Sequence, residues 1–280
     1  MNQKFGFMQG RLSPIIDNKI QSFPSNSWRE ELVEAQSIGF QIMEWTIDYD
    51  GIYENPLMSK LGRANIRHEA RRNAVSIPSV TGDCFMQSPF WKASNSIQQR
   101  LKKEFLDVIS ASSALGIRHV VVPLVDEGAL CSQSEEDTLI NFLLLNKKNI
   151  AKKHVTIVFE SDYEPQRLAK FINLFPADVF GINYDTGNSA ALGFCPIDEL
   201  SLYGERVYNV HVKDRVLGGC SVSLGNGNAQ IGTALKKLQE IGYEGNFIFQ
   251  TARSTDGDHR GVLVQSKIFL ETVLSKLNHD

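Results

Sequence analysis

Four side chains of this 280-residue chain sit at corresponding places in short apolar runs. Glu160 follows VTIVF, Asp185 closes FGINY, His211 lies within VYNVHVKD, and Gln250 ends NFIF. Two carboxylates, an imidazole and an amide carbonyl form a mixed oxygen and nitrogen donor set. Such a set suits one divalent ion: Mn²⁺, Mg²⁺, Zn²⁺, Co²⁺ or Fe²⁺. A neutral Gln coordinates through its carbonyl oxygen and leaves positions for water and substrate oxygens. Taken singly, a Glu after a strand is a helix cap or an ion-pair partner, and a His in an apolar run is a hydrogen-bonded core residue. Four such residues at matching strand ends point instead to one joint site.

The elements that must carry these residues follow from alternation along the chain. Apolar runs occur at 4–10, 41–48, 75–80, 119–125, 155–161, 180–185, 207–214 and 246–251. Each is bounded by polar residues or Gly, as a buried parallel strand is. Amphipathic stretches separate them. Ser27 with Glu30 predicts a capping box opening a helix at WREELVEAQSIGF. Gly39, the Gly of SSALGIRHVVV and that of LKKLQEIGYEG each predict a left-handed turn from helix back to sheet. Eight such units favour a single-domain (β/α)8 barrel over residues 1–280, rather than an open sheet. No GxGxxG follows the first strand, which argues against a dinucleotide fold.

In such a barrel, active sites lie at the C-terminal strand ends. By period-two alternation His211 and Lys213 share a face, with Asp214 on the other. Glu44 and Trp45 close the second strand; Glu44 is placed to touch a ligand, and Trp45 to stack on one or to pack. The stretch 81–97 reads as a long loop carrying Asp83, Phe85, Met86, Phe90 and Trp91, either a lid or a self-packed loop. Asn188 lies just past Asp185. Arg215 and Arg253 follow strands seven and eight, where such barrels bind phosphate. The Gly-rich 218–228 offers backbone amides to an anion, or is a plain turn.

Composition excludes several classes. The net charge of −3 gives no field for nucleic acid or an anionic membrane. Cys84, Cys131, Cys195 and Cys220 form no CxxC pair, so reduced thiols in a cytoplasm are expected. The N-terminal MNQKFGFMQGRLSP lacks the apolar core of a signal peptide, and no run reaches a membrane span.

The strings MQGRLSP, IMEW, FESD, NYDTGNSAALG, NVHVKDR and FIFQTAR, in this order, resemble the xylose-isomerase-like TIM-barrel superfamily. That superfamily includes sugar isomerases, keto-sugar 3-epimerases, inosose dehydratases and the endonuclease IV group. The resemblance implies one divalent ion held by Glu, Asp, His and Glu on strands five to eight. By position these are Glu160, Asp185, His211 and Gln250, so the fourth residue departs from the pattern. The family's epimerases use their two glutamates as an acid/base pair, and Gln250 cannot carry a proton.

The expected reaction is therefore isomerisation or epimerisation of a sugar or sugar phosphate beside a metal-polarised carbonyl. Glu160 is the expected base, and Lys213 stabilises the oxyanion or pairs with a carboxylate. Glu44, Asp83, Asn188, Arg215 and Arg253 are the expected substrate contacts. Glu44, Asp83, Lys213, Asp214 and His259 are the candidates for a second acid/base. A one-base isomerisation or a dehydration needs fewer groups than an epimerisation. A non-catalytic sugar-binding barrel is the alternative from another class. An endonuclease IV-type hydrolase needs a His-rich cluster, which six dispersed His residues do not supply. The family's habit of pairing implies a homodimer.

Overall fold

Runs of β-branched and aromatic residues become strands here because both faces of the sheet are covered. A computed structural model describes residues 4–277. The strands are β1 (Lys4–Met8), β2 (Ile42–Thr46), β3 (Ser76–Thr81), β4 (His119–Leu124), β5 (Thr156–Ser161), β6 (Phe180–Asp185), β7 (Val207–Val212), β8 (Asp214–Arg215), β9 (Ser221–Val222) and β10 (Asn246–Phe249). The α-helices are α1 (Trp28–Ser37), α2 (Lys60–Arg72), α3 (Asp83–Gln87), α4 (Asn95–Leu115), α5 (Gln133–Ala151), α6 (Pro165–Ile172), α7 (Thr186–Leu192), α8 (Pro196–Tyr203), α9 (Ile231–Glu240) and α10 (His259–Leu277).

Eight strands close into a parallel barrel in the order β1-β10-β7-β6-β5-β4-β3-β2. The expected (β/α)8 fold is the one observed, and each expected strand matches one barrel strand. The small strands β8 and β9 form a separate antiparallel hairpin past β7. His279 and the two ends of the 1–280 span lie outside the described residues. Among the described residues, no helix is long and apolar enough to cross a membrane.

The main core lies between barrel and helices. Phe159 of β5, for example, meets Phe171 of α6 and Phe180 of β6. A smaller cluster of Met8, Ile42 and Ile248 fills the barrel interior. Gly6 makes room for it: a Cβ there would lie 2.6 Å from Ile42 and 2.8 Å from Ile248. The helix-to-strand turns form as expected. Gly116 caps α4 with φ of 98°, which a side chain would resist.

Three expectations are corrected. The capping box at α1 does not form, because the Ser27 hydroxyl is held by Ser13 at 2.9 Å instead. The strands stop earlier than the apolar pattern: β2 at Thr46, β7 at Val212 and β10 at Phe249. Past β7 the Lys213 amide donates to the Thr186 hydroxyl (3.0 Å) rather than to a neighbouring strand. The 81–97 stretch is not one irregular loop, since it contains α3 and the start of α4. Its aromatics pack inward rather than form a lid. Phe85 meets Phe105 at 4.4 Å, Phe90 meets Phe142 at 4.6 Å, and Trp91 donates its indole N–H to Gly128 O.

Candidate functional site

A cavity of about 560 Å³ opens at the C-terminal ends of the barrel strands. Its lining includes Arg11, Asp83, Glu160, Lys213, Arg215 and Gln250. That volume suits a small-molecule ligand.

A buried cluster next to Glu160 of the lining is built by strand register. Asp185, last in β6, lies directly opposite His211 of β7. Glu160 comes from the end of β5. One donor atom from each of these three lies within 4.8 Å of the others, and all three residues are buried. His211 Nδ1 is 3.1 Å from Glu160 Oε2 and 3.9 Å from Asp185 Oδ2. Its other nitrogen, Nε2, is 2.7 Å from Glu44 Oε1. A carboxylate on the far nitrogen orients the ring as it does for metal-binding histidines. The donor set thus fits a divalent ion, with Nδ1 facing both carboxylates.

Polar neighbours hold each donor in place. Asp185 Oδ1 caps α7 by accepting the Gly187 and Asn188 amides, both at 2.8 Å, which leaves Oδ2 for the site. Glu160 accepts from Asn183 Nδ2 at 2.9 Å and Asn188 Nδ2 at 2.6 Å. Asn209 Nδ2 bridges Glu44 (2.9 Å) and Asn183 (2.8 Å) beneath. Burial alone would lower the His211 pKa, but the Glu44 and Glu160 carboxylates outweigh it and push it up to about 10. Burial pushes Glu44 the other way, yet the facing His211 holds it below the usual carboxylate range.

Asp83 opens α3 and lines the same cavity, with the Thr81 hydroxyl 2.9 Å away. Burial, with Asp48 and Glu160 adding to it, raises its pKa to about 7. That value suits a group that gives and takes protons near neutrality.

A family model described as the xylose isomerase-like TIM barrel matches residues 32–271. The chain belongs to this family. Among its relatives is the putative L-ribulose-5-phosphate 3-epimerase SgbU of Escherichia coli (strain K12), 24% identical over 240 residues, covering 80% of this chain and 83% of that one. Solved structures share the fold. A xylose isomerase domain protein from Planctomyces limnophilus has a TM-score of 0.76 at 14% identity, covering 99% of both chains. A D-tagatose 3-epimerase-like protein has a TM-score of 0.75 at 20% identity, again covering 99% of both chains.

In this xylose isomerase-like barrel, Glu160, Asp185, His211, Lys213 and Asn188 come together as one cluster. Gln250 joins it through Lys213 Nζ, 2.9 Å from its Oε1. Arg215 lines the cavity and spans Gly219 O (2.9 Å) and Asn188 Oδ1 (3.0 Å). Two expected substrate contacts lie elsewhere. Glu44 is wholly buried beneath His211 and does not line the cavity. Arg253 donates to the carbonyls of Gly10 and Ser13, tethering the MQGRLSP segment. Trp45 is buried against Phe23 and Trp28, so it packs rather than stacks on a ligand. The amides of Gly225, Gly227 and Ala229 do not form an anion cradle, because the Asp214 carboxylate takes all three at 2.8 to 3.0 Å.

Sequence reasoning missed Asn183, Asn209, Arg11 and Gln21. Arg11 is buried with Nε on Thr251 O (3.0 Å) and Nη1 on Gln21 Oε1 (2.6 Å), and both Arg11 and Gln21 line the cavity. The available signal was their polarity. Asn183 and Asn209 sit two residues before Asp185 and His211, on the same strand face. Arg11 lies beyond the end of β1, where a barrel keeps functional residues.

Proposed function

We propose that this chain is an isomerase or epimerase of a sugar or sugar phosphate. It would act by proton transfer at a carbon beside a carbonyl. The observation that carries this reading is the grouping of Glu160, Asp185 and His211 donor atoms within 4.8 Å, with Glu160 lining the ligand-sized cavity and the other two buried beside it. Glu160, Asp185 and His211 would hold one divalent ion, Mn²⁺, Mg²⁺, Co²⁺ or Zn²⁺, with Gln250 alongside as a neutral oxygen. Such an ion supplies polarisation of the substrate carbonyl.

Glu160 removes the proton, its carboxylate held by Asn183 and Asn188. Asp83 carries the proton for the other side of the carbon. It lines the same cavity and titrates near neutrality, which supports epimerisation over a one-base isomerisation. Relatives named as 3-epimerases support the same choice. Arg11, Lys213 and Arg215 bring positive charge to the cavity wall, suited to substrate oxygens or a phosphate. The protein is read as a cytoplasmic enzyme that works without nucleic acid, a setting that four free cysteines and a net charge of −3 support. The homodimer reading rests only on the pairing common in barrels of this family.

The test is solvent deuterium exchange into ketoses and ketose phosphates with added Mn²⁺. Deuterium entering the carbon next to the carbonyl, and lost in Glu160→Gln, is the expected result. A second reading, a barrel that binds a sugar without turnover, draws on the lack of a second glutamate at position 250. Tight sugar binding with no exchange would select it.

A further inference from the structure

The ammonium of Lys213 has a seat of its own among the proposed ion ligands. Its three N–H groups meet three oxygens: Gln250 Oε1 at 2.9 Å, Asp185 Oδ2 at 3.2 Å and Asn188 Oδ1 at 3.3 Å. The stem is fitted as well as the head. It lies over Gly187, where a Cβ would come within 2.6 Å of Lys213 Cγ and 2.9 Å of its Cβ and Cδ. Any larger residue at 187 would push the lysine out of this position.

The acceptors Lys213 uses are the ones an ion would need. Asp185 Oδ1 is already committed to two α7 amides, so Oδ2 is its remaining oxygen, and Lys213 holds it. Gln250 has only one oxygen to offer, and Lys213 holds that too. An ion bound to Asp185 Oδ2 at about 2.1 Å would lie at most about 5.3 Å from Nζ, given the 3.2 Å contact. Two like charges that close, in a pocket where Lys213 is largely shielded from solvent, oppose each other strongly.

We propose that Lys213 is a built-in cation of this site and the direct competitor of the divalent ion for Asp185 and Gln250. This rests on the reading of Glu160, Asp185 and His211 as ion ligands. With no ion, the lysine ammonium occupies the three-oxygen seat that includes Asp185 and Gln250. When an ion enters, Asp185 and Gln250 are freed only if the amino group leaves its three-oxygen seat. Gln250 fits such a shared site: its amide oxygen accepts from the ammonium without the second negative charge a glutamate would add for the ion.

The experiment is calorimetric titration of Mn²⁺ into the native chain and into Lys213→Met, Lys213→Arg and Asp185→Ala. Methionine keeps a stem of similar length over Gly187 and removes the charge. Lys213→Met is expected to bind Mn²⁺ about 5- to 150-fold more tightly than native, the range of a coupling between two neighbouring sites. Lys213→Arg should show no gain, and Asp185→Ala should bind none. Mn²⁺ binding by Lys213→Met with none by native protein would support the proposal most strongly. Equal affinity in native and Lys213→Met, with loss in Asp185→Ala, would overturn the competition and leave the ligand set standing. No Mn²⁺ in either would overturn both. If Lys213→Met does not fold, amine acetylation of native protein gives the same answer by mass spectrometry. Mn²⁺ should raise Lys213 labelling severalfold, and unchanged labelling in Mn²⁺-loaded protein would refute the proposal.

Discussion

His211 Nε2 lies 2.7 Å from Glu44 Oε1, with both side chains wholly buried and 167 residues apart in the chain. The contact joins β7 to β2 across the barrel interior. It fixes the imidazole so that Nδ1 faces Glu160 and Asp185. Glu44 thus acts on the site from beneath, through His211.

Removing Glu44 should therefore cost both stability and ion binding. Glu44→Ala takes from the buried His211 ring its nearest carboxylate and from Asn209 one of its two acceptors, a loss of about 3–5 kcal/mol. Urea unfolding measures it. Glu44→Gln should be milder in stability and lower Mn²⁺ affinity about 10- to 100-fold through the misoriented ring. The pH dependence has a definite sign. The raised His211 pKa contributes stability that is complete below 6.5 and is lost as pH rises through about 10. The depressed Glu44 pKa contributes stability present above 4.5 and lost as pH falls below it. Native protein should show both limbs; Glu44→Gln should lose the acid limb and keep only the part of the alkaline limb that Glu160 supports.

Glu31 should give the opposite trend in the range between. It is buried and accepts the Gly10 and Leu12 amides at 2.9 Å, holding the loop after β1 onto α1. Burial raises its pKa from 4.5 to about 7 despite those bonds. The folded state then holds a proton that the unfolded state has lost, so stability falls as pH rises from 4.5 to 7. The loss is on the order of 3 kcal/mol. Asp83 titrates over a similar range, so Glu31→Gln should remove part of this slope, and Glu31→Gln with Asp83→Asn most of it. Urea midpoints at pH 5 and 8 decide the matter.

The barrel was legible because a strand buried on both faces leaves an unbroken apolar run, and VVV of β4 or FIF of β10 has few other uses. Glu160, Asp185 and His211 were legible because charge at the end of such a run costs free energy unless it is used. The support beneath them was not. Asn183 and Asn209 are chemically ordinary residues until the barrel closes and sets Asn209 against both Glu44 and Asn183. The Gly-rich loop misled for a related reason. Its amides were visible, but the acceptor they serve, Asp214, lies at the loop's own entrance. Ser27 was a plausible cap until Ser13 took its hydroxyl. Pattern shows which donors exist, and only the fold shows which are already used.

Asp214 gives a separate test of that loop. Its carboxylate gathers the amides of Gly225, Gly227 and Ala229, and Asp214 itself is fully buried. Asp214→Ala should cost at least about 3 kcal/mol, since each hydrogen bond to a charged acceptor is worth about 1.5–3 kcal/mol. Hydrogen exchange should rise at residues 223–229 and stay unchanged at β5. Unchanged protection in the loop would mean its shape is held by other contacts.

Asp83 carries the sharpest test of the reaction type. Thr81 donates to it within the cavity wall, and its raised pKa keeps part of it protonated near pH 7. Asp83→Asn retains the shape and the hydrogen bond but cannot move a proton. If Glu160 withdraws a proton and Asp83 returns one from the other side, deuterium exchange should persist in Asp83→Asn. Inversion of configuration should fall about 10²- to 10⁴-fold. In native protein, inversion limited by proton return should decline above about pH 7, where Asp83 loses its proton. Both effects would identify an epimerase with a mixed Glu and Asp pair. Native-level inversion in Asp83→Asn would mean that another group returns the proton; exchange without inversion in native protein would leave Glu160 as the sole base, and the product to look for would be an aldose.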